Sequence, residues 1–247
     1  MNKALNYLRR SLIPVIAVIS VGILFTACLK DKDNGPDIPA AGLMAFNLAP
    51  DQPALVVRLS GNSLTQAPLD YTSYTGVYQN IYTGSRPVEA FDYRNGSRLT
   101  STNYTFEANK YYSLFVIGTD SAYKNIVSID NFDSLTTTDG KAYVRYINAI
   151  TDSVNNSTVT VTANGSNVVN DNAAYGTVSE FKAVTPGQIS VAVKNNNGVN
   201  ASRDITLEQK KIYTILLVGK PGATDDKQKV QIRFIANGTV TDDTSKQ

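Results

Sequence analysis

Short apolar runs separated by turn-forming residues recur along most of this chain. The clearest runs are Leu55–Leu59, Tyr112–Ile117, Ala142–Ile147, Thr158–Thr162, Ile189–Val193, Tyr213–Val218 and Val230–Ile235. Runs of this length, bounded by Gly, Pro and Asn, predict β-strands, and no stretch has the period of an amphipathic helix. Asn195-Asn196-Asn197-Gly198 predicts a hairpin turn that needs positive φ. Many short strands at this spacing indicate a sandwich or a barrel.

The two halves of the chain repeat one pattern. The segment from Phe106 to Gly118 matches the segment from Leu207 to Gly219, and Tyr112 and Tyr213 show the offset of 101 residues. Shorter matches pair Phe46-Asn47 with Ile147-Asn148, Ser60-Gly61 with Asn164-Gly165, Tyr78 with Phe181, and Thr83-Gly84 with Pro186-Gly187. A period this long indicates successive domains rather than a solenoid. We predict a first domain at 43–135, a second at 140–240 and a polar tail at 241–247.

Both halves carry turn and strand motifs of one protein family. The motifs are Ala49-Pro50-Asp51-Gln52-Pro53-Ala54 with the strand to Gly61, Ala174-Tyr175-Gly176, Val184-Thr185-Pro186-Gly187, and the strand from Tyr213-Thr214 to Gly219. They resemble the domain-of-unknown-function 4397 family of exported bacterial proteins. With the strand pattern, the resemblance implies an all-β fold of two tandem immunoglobulin-like antiparallel β-sandwich domains. It brings no reaction and no assigned catalytic residue.

The N-terminus has the composition of a secretory signal. Basic Lys3, Arg9 and Arg10 precede an apolar run over 12–25, which is shorter than the roughly 20 residues of a membrane-spanning helix. Thr26-Ala27-Cys28 follows and resembles the bacterial lipoprotein box. The resemblance implies that residues 1–27 are cleaved and that Cys28 is lipidated. Residues 28–42 then form a linker, because they are rich in Lys, Asp, Pro and Gly without periodicity.

A short charged stretch directly follows the cysteine. Lys30, Asp31, Lys32 and Asp33 resemble the signal that sends lipoproteins of the Bacteroidota to the outer face of the outer membrane. The resemblance implies an outer-membrane lipoprotein displayed at the cell surface. A merely solvated tether is the alternative interpretation of these charges, and it leaves a periplasmic location open.

Composition narrows the range of functions. The formal net charge of +2 includes three basic residues of the predicted signal, so 20 of the 23 basic residues remain against 21 acidic residues. A near-neutral chain without a basic cluster argues against nucleic-acid binding. The single cysteine excludes a disulfide within one chain, so stability depends on apolar burial.

The sequence offers few residues for catalysis or metal binding. The chain has no histidine, the commonest proton shuttle and metal ligand, and its one cysteine is assigned to the lipid. Ser121 to Lys124 and Ser179 to Lys182 match a Ser-x-x-Lys spacing only outside a helix start. Carboxylates cluster at Asp130 and Asp133, Asp225-Asp226 and Asp242-Asp243, but none has the spacing of an EF-hand. We predict a non-enzymatic protein with no metal and no cofactor.

Aromatic residues concentrate between positions 71 and 93. The candidate ligand-binding residues are Tyr71, Tyr74, Tyr82, Arg86 and Tyr93. Aromatic faces stack on sugar rings and the Tyr hydroxyl adds a polar contact, so an exposed row would bind glycan or peptide. Packing in a half-buried sheet is the alternative for the same residues.

The predicted function is a binding module for an extracellular glycan or protein, attached to the membrane through its lipid. One alternative is a structural envelope component that self-associates or supports another envelope protein, and a large exposed apolar patch would favour it. A second alternative is a glycoside hydrolase, which requires two carboxylates about 5 to 10 Å apart in a cleft.

Overall fold

Seventeen strands follow one another along the part of the chain that the computed structural model describes, residues 38–136 and 139–241. The first nine are β1 (Ala40–Asn47), β2 (Ala54–Leu59), β3 (Asn62–Ser63), β4 (Leu69–Asp70), β5 (Gln79–Tyr82), β6 (Gly84–Asp92), β7 (Arg98–Phe106), β8 (Tyr111–Ile117) and β9 (Lys124–Ile129), and a short 3₁₀ turn at Phe132–Ser134 follows. The others are β10 (Ala142–Ile150), β11 (Ser157–Ala163), β12 (Ser166–Ala173), β13 (Lys182–Val184), β14 (Gly187–Lys194), β15 (Asn200–Leu207), β16 (Lys211–Gly219) and β17 (Gln231–Thr239). The predicted all-β fold is confirmed.

Each repeat is a sandwich of two sheets. In the first repeat the strand orders are β5-β1-β8-β9 and β3-β2-β6-β7, with β4 beside β2. In the second they are β13-β10-β16-β17 and β12-β11-β14-β15. We call the sheets that contain β1 and β10 the inner sheets and the other two the outer sheets. The predicted hairpin turn after Lys194 connects β14 to β15, and its Gly198 has a φ of 81°.

One strand pair in each inner sheet is parallel. β1 runs parallel to β8, with Met44 opposite Ser113, and β10 runs parallel to β16, with Arg145 opposite Thr214. The sequence interpretation included only antiparallel pairs. The difference arises because strands of both sheets separate β1 from β8, and β10 from β16, so no hairpin forces either pair to be antiparallel.

One hydrogen-bonding arrangement occurs in both repeats at the offset of the sequence match. The hydroxyl of Tyr112 accepts the Glu107 backbone N–H at 2.9 Å, and that of Tyr213 accepts the Glu208 N–H at 3.0 Å. This arrangement is similar to the tyrosine corner of immunoglobulin-like sandwiches. The repeats therefore share a local architecture as well as a sequence pattern.

Apolar side chains of β1 alternate between two different cores. Leu43 and Ala45 point into the first sandwich, whereas Met44 and Phe46 belong to a separate apolar cluster that includes residues of the second repeat. Successive side chains of a strand point to opposite faces, so both faces of this strand are covered. Every residue of β10 is buried as well.

The inner sheets of the two repeats pack against each other. We call this contact the seam. Its fully buried apolar residues are Met44, Phe46, Leu48, Phe115 and Ile117 of the first repeat with Ile147, Ala149, Leu216 and Val218 of the second. Burial of a side chain of this size contributes about 1.5 to 3 kcal/mol. The order of layers is therefore outer, inner, inner, outer, and both repeats lie in one unit that begins at Pro39.

A buried ion pair crosses the seam. The Arg145 guanidinium lies 2.6 Å from the Asp130 carboxylate, and both side chains are inaccessible to solvent. Arg145 also donates to the Ser113 hydroxyl at 2.8 Å and to the Thr214 hydroxyl at 3.0 Å. Its guanidinium carbon lies 4.5 Å from the centre of the Phe181 ring. One side chain of the second repeat thus contacts polar groups of both repeats.

The polar groups around this arginine form a connected network. In the first repeat Ser113 donates to Asp130 at 2.7 Å, and in the second Thr214 donates to Asn237 at 2.6 Å. Tyr78 connects the two pairs, because its hydroxyl accepts from Asn237 and donates to Asp130. Burial and the Asp130 carboxylate raise the pKa of Tyr78, so this hydroxyl stays protonated.

We expect Asp130→Ala to lower the free energy of unfolding by about 3 to 5 kcal/mol, because it leaves the buried Arg145 without its counter-charge. Chemical denaturation measures the change. The control is Asp133→Ala, whose exposed carboxylate lies 3.6 Å from Lys110 and should contribute at most about 1 kcal/mol. Equal losses for the two variants would contradict a structural role of the buried pair.

Candidate functional site

Two of the predicted ligand-binding residues belong to the seam. Tyr71 and Tyr74 pack against its apolar cluster, and the Tyr74 ring stacks on Phe46 with 5.5 Å between the ring centres. Burial raises the pKa of Tyr71. These two side chains therefore pack between the repeats and do not form an exposed row.

A second pair of predicted residues is exposed and mutually bound. The Arg86 guanidinium lies 5.5 Å from the Tyr82 ring centre, and its Nε donates to the Tyr82 carbonyl at 2.7 Å. The Tyr82 side chain is 61% exposed. The pair lies beside the first residues of β6.

The fifth predicted residue, Tyr93, is 58% exposed and follows the other end of β6. That strand has nine residues, so its two ends lie roughly 26 Å apart. Tyr82 and Tyr93 are therefore too far apart for one small ligand. The five predicted residues therefore do not form one row: some lie in the seam and the others lie at the two ends of β6. The reason is that the chain reverses direction between positions 71 and 93.

The turn that carries Tyr93 is fixed by a buried carboxylate. Asp92 accepts the Arg94 backbone N–H at 2.8 Å and its guanidinium at 2.9 Å. The hydrogen bond from the Arg94 side chain is the main reason why the pKa of Asp92 lies below its ordinary value, although burial opposes it. Tyr93 also donates its backbone N–H to Ala54 at 3.2 Å.

The solvent-facing side of the first outer sheet carries an aromatic residue among charges. Phe91 is half-buried opposite Val56, and the Arg58 guanidinium lies 4.6 Å from the centre of its ring. Glu89 stands opposite Arg58 and pairs with Arg98 at 3.2 Å. We call these five residues the Phe91 surface. They come from three strands, so only the strand register brings them together.

The corresponding side of the second outer sheet has a different composition. Thr160 and Thr162 lie four and two residues before the Asn164-Gly165 turn, as Val56 and Arg58 do before Ser60-Gly61. In β14, Ala192 stands opposite Thr160 and Ser190 stands opposite Thr162. Other residues of this face include Thr158, Asn170, Asn172, Gln188, Lys194, Ser202, Asp204 and Thr206. This face has small polar side chains where the first repeat has an aromatic ring and guanidinium groups.

Carboxylates at one edge of the seam have structural partners. Asp51 accepts the Asp120 backbone N–H and the Tyr123 hydroxyl, both at 2.8 Å. The Asp120 carboxylate pairs with Lys220 of the second repeat at 2.7 Å. Burial, followed by the Asp51 carboxylate, raises the pKa of Tyr175 to about 12. These contacts join the repeats and lend no specific support to a carboxylate-pair hydrolase.

Carboxylates of the other clusters are also paired with basic side chains. Asp130 belongs to the seam, and Asp226 pairs with Lys229 at 2.6 Å. Within residues 38–136 and 139–241, no group of three His, Cys, Asp or Glu side chains is placed to hold a metal ion. Asp242 and Asp243 lie outside the described residues.

The residues assigned to anchoring and export also lie outside the described residues. They are Cys28, Lys30, Asp31, Lys32 and Asp33. In the part of the chain that the structure describes, no helix has the length and apolarity needed to cross a membrane.

The architecture defines a class of protein with tandem β-sandwich repeats joined face to face. The chain belongs to the family described as Domain of unknown function (DUF4397), whose model matches residues 41–155 and again 142–246. The two matches confirm the tandem repeats that the sequence motifs predicted. A search of curated proteins finds no match to the chain.

Three solved structures give low similarity scores. A family 41 carbohydrate-binding module from streptococcal virulence factors, described as recognising α-glucan, has 9% identity and a TM-score of 0.22 and covers 74% of this chain and 94% of its own. A family 26 module of Eubacterium rectale Amy13K in complex with maltoheptaose has 12% identity and a TM-score of 0.22, covering 77% and 100%. A putative cell adhesion protein of Bacteroides eggerthii has 13% identity and a TM-score of 0.21, covering 82% and 98%. Scores this low carry no argument.

We expect Asp92→Asn to lower the free energy of unfolding by about 1 to 3 kcal/mol at neutral pH, because charged hydrogen bonds to Arg94 are lost. The folded pKa of Asp92 lies below its unfolded value of about 3.9, so its stabilisation is present above that value and is lost as the pH falls through the folded pKa. The difference from wild type should therefore shrink as the pH falls below the unfolded value. Denaturation at several pH values measures it, with the exposed Asp70→Asn as control. A difference independent of pH would contradict this assignment.

Proposed function

We propose that this chain is a non-catalytic binding module that contacts an extracellular glycan through the Phe91 surface. The observation that carries the proposal is an aromatic side chain with guanidinium groups beside it on the solvent-facing side of the first outer sheet. Aromatic faces stack on sugar rings, and neighbouring charged groups fix orientation by hydrogen bonding.

The difference between the solvent-facing sides of the two outer sheets supports the Phe91 surface as the binding site. Both outer sheets face solvent and share one architecture, yet only the first carries Phe91, Arg58 and Arg98 on that side. Packing inside the protein does not explain the difference, because each sandwich is already filled by its own core. Of the residues singled out in the sequence, only Tyr93 lies at the same end of β6 as Phe91. Tyr82 and Arg86 lie at the other end and are outside the proposed site.

We expect Phe91→Ala to weaken binding to a polysaccharide by about 10- to 100-fold, because a ring of this size loses its buried area in the complex. Affinity electrophoresis against a panel of soluble polysaccharides, followed by calorimetric titration, measures the loss. The matched control is Lys194→Ala, which alters the same side of the second outer sheet and should leave binding unchanged.

Retention of full affinity by Phe91→Ala would place the contact elsewhere. If no polysaccharide binds and the purified protein forms stable oligomers, the self-associating envelope role becomes the better account.

We further propose that the chain is anchored in the outer membrane through a lipid on Cys28 and is displayed at the cell surface. The support is the order of signal, cysteine and Lys/Asp stretch in the sequence. The chain enters β1 at Ala40, and the linker before it is long enough to separate the sandwiches from a membrane.

We expect protease added to intact cells to remove the wild-type protein and to spare the variant Lys30→Ala/Asp31→Ala/Lys32→Ala/Asp33→Ala, because the variant lacks the export signal. Immunoblotting measures the remaining protein, and Cys28→Ser should release it from the membrane fraction. The control is Asp225→Ala/Lys227→Ala at an exposed turn, which should remain sensitive to protease. Protection of the wild type would contradict surface display.

A further inference from the structure

The Arg58 side chain on the Phe91 surface lies over the Phe91 ring yet has no polar partner. Its guanidinium carbon lies 4.6 Å from the centre of the Phe91 ring, a distance at which the ring attracts the cation. Throughout the described part of the chain, it makes no hydrogen bond and no ion pair. Arg58 is exposed, so its N–H donors are open to solvent and free to take a partner.

The nearest acidic residue across the sheet does not neutralise this arginine. Glu89 stands directly opposite Arg58 in the register of β2 and β6. Its carboxylate instead accepts from Arg98 at 3.2 Å, on the far side of β6. The surface thus holds two guanidinium groups and one carboxylate, and the carboxylate is already engaged. The excess positive charge lies at Arg58.

A planar guanidinium with unoccupied donors matches the geometry of an oxyanion. It binds a carboxylate or sulfate through two parallel hydrogen bonds, which neutral hydroxyls do not replace. Ser63 of β3 stands opposite Arg58 in the register on the other side of β2 and is exposed, so it adds a hydroxyl to the same face of the sheet. Val56 and the part of the Phe91 ring that Arg58 does not cover supply the adjoining apolar area for the body of a sugar.

We propose that Arg58 binds the anionic group of an acidic polysaccharide, a carboxylate or a sulfate, while the ring of Phe91 supports it. This inference rests on the proposed function, since it names the class of glycan that the Phe91 surface takes. The second repeat has Thr162 at the position of Arg58 relative to its turn, so it lacks this recognition element.

The test compares polymers that differ in charge. Calorimetric titration uses polygalacturonate and its methyl ester for the carboxylate, and dextran sulfate and dextran for the sulfate. The variants are Arg58→Gln, Phe91→Ala and the charge-matched Lys194→Gln, each checked for unchanged thermal unfolding because all three positions lie on the surface.

We expect the wild type to bind at least one anionic polymer about 10- to 100-fold more tightly than its neutral counterpart. Arg58→Gln should remove that preference, and Lys194→Gln should retain it. The pair of polymers that shows the preference identifies the anionic group.

Two outcomes separate the failure of this inference from the failure of the proposed function. Equal binding of charged and neutral polymers, lost in Phe91→Ala, would overturn recognition by Arg58 and leave glycan binding at the Phe91 surface intact. Absence of binding to all four polymers, or binding that neither Phe91→Ala nor Arg58→Gln changes, would overturn both.

Discussion

Burial of the two inner sheets against each other is the constraint on which the other features of this fold depend. A sandwich normally leaves the outside of both sheets to solvent, so alternate residues of its strands are polar. Here β1 and β10 have apolar residues on both faces, as in Met44 and Phe46 beside Leu43 and Ala45. An isolated repeat would expose its half of the seam to water. The inner sheets are therefore unavailable to a partner, and only the outer sheets, loops and edges remain for binding.

Polar groups inside the seam break the symmetry between the repeats. Arg145 of the second repeat stands at the position of Met44 in the first, and the same offset relates Ser113 to Thr214. The two equivalent hydroxyls therefore share one arginine. A buried charge requires a fixed partner, since its desolvation is costly. Asp130 fulfils this role from the opposite repeat, which ties the ion pair to one arrangement of the two sheets.

The sequence was informative where the physical signal is local. Short apolar runs predicted the strands, and Asn195-Asn196-Asn197-Gly198 predicted a turn that requires positive φ, which Gly198 has. The repeat was visible because Tyr112 and Tyr213 have the same role in each copy. The seam was missed even though β10 reads as a nearly continuous apolar run. Such a run indicates a strand covered on both faces but does not identify what covers it.

The candidate site was missed for a related reason. Arg58 and Phe91 are far apart in the chain, and only the register of β2 and β6 brings them together. The aromatic row between 71 and 93 suggested a surface because its residues are close in sequence. The chain reverses within that segment, so Tyr74 enters the seam whereas Tyr93 remains exposed. Proximity along the chain is a poor guide to a shared surface when strands reverse every few residues.

The seam joins the two repeats into one cooperative unit. Differential scanning calorimetry of residues 39–247 tests this most directly, because a single cooperative unit has equal calorimetric and van't Hoff enthalpies of unfolding. We expect one transition with equal enthalpies, and we expect the Asp130→Ala variant to shift the whole transition to lower temperature. Two separable transitions, with only one moved by that substitution, would contradict the account.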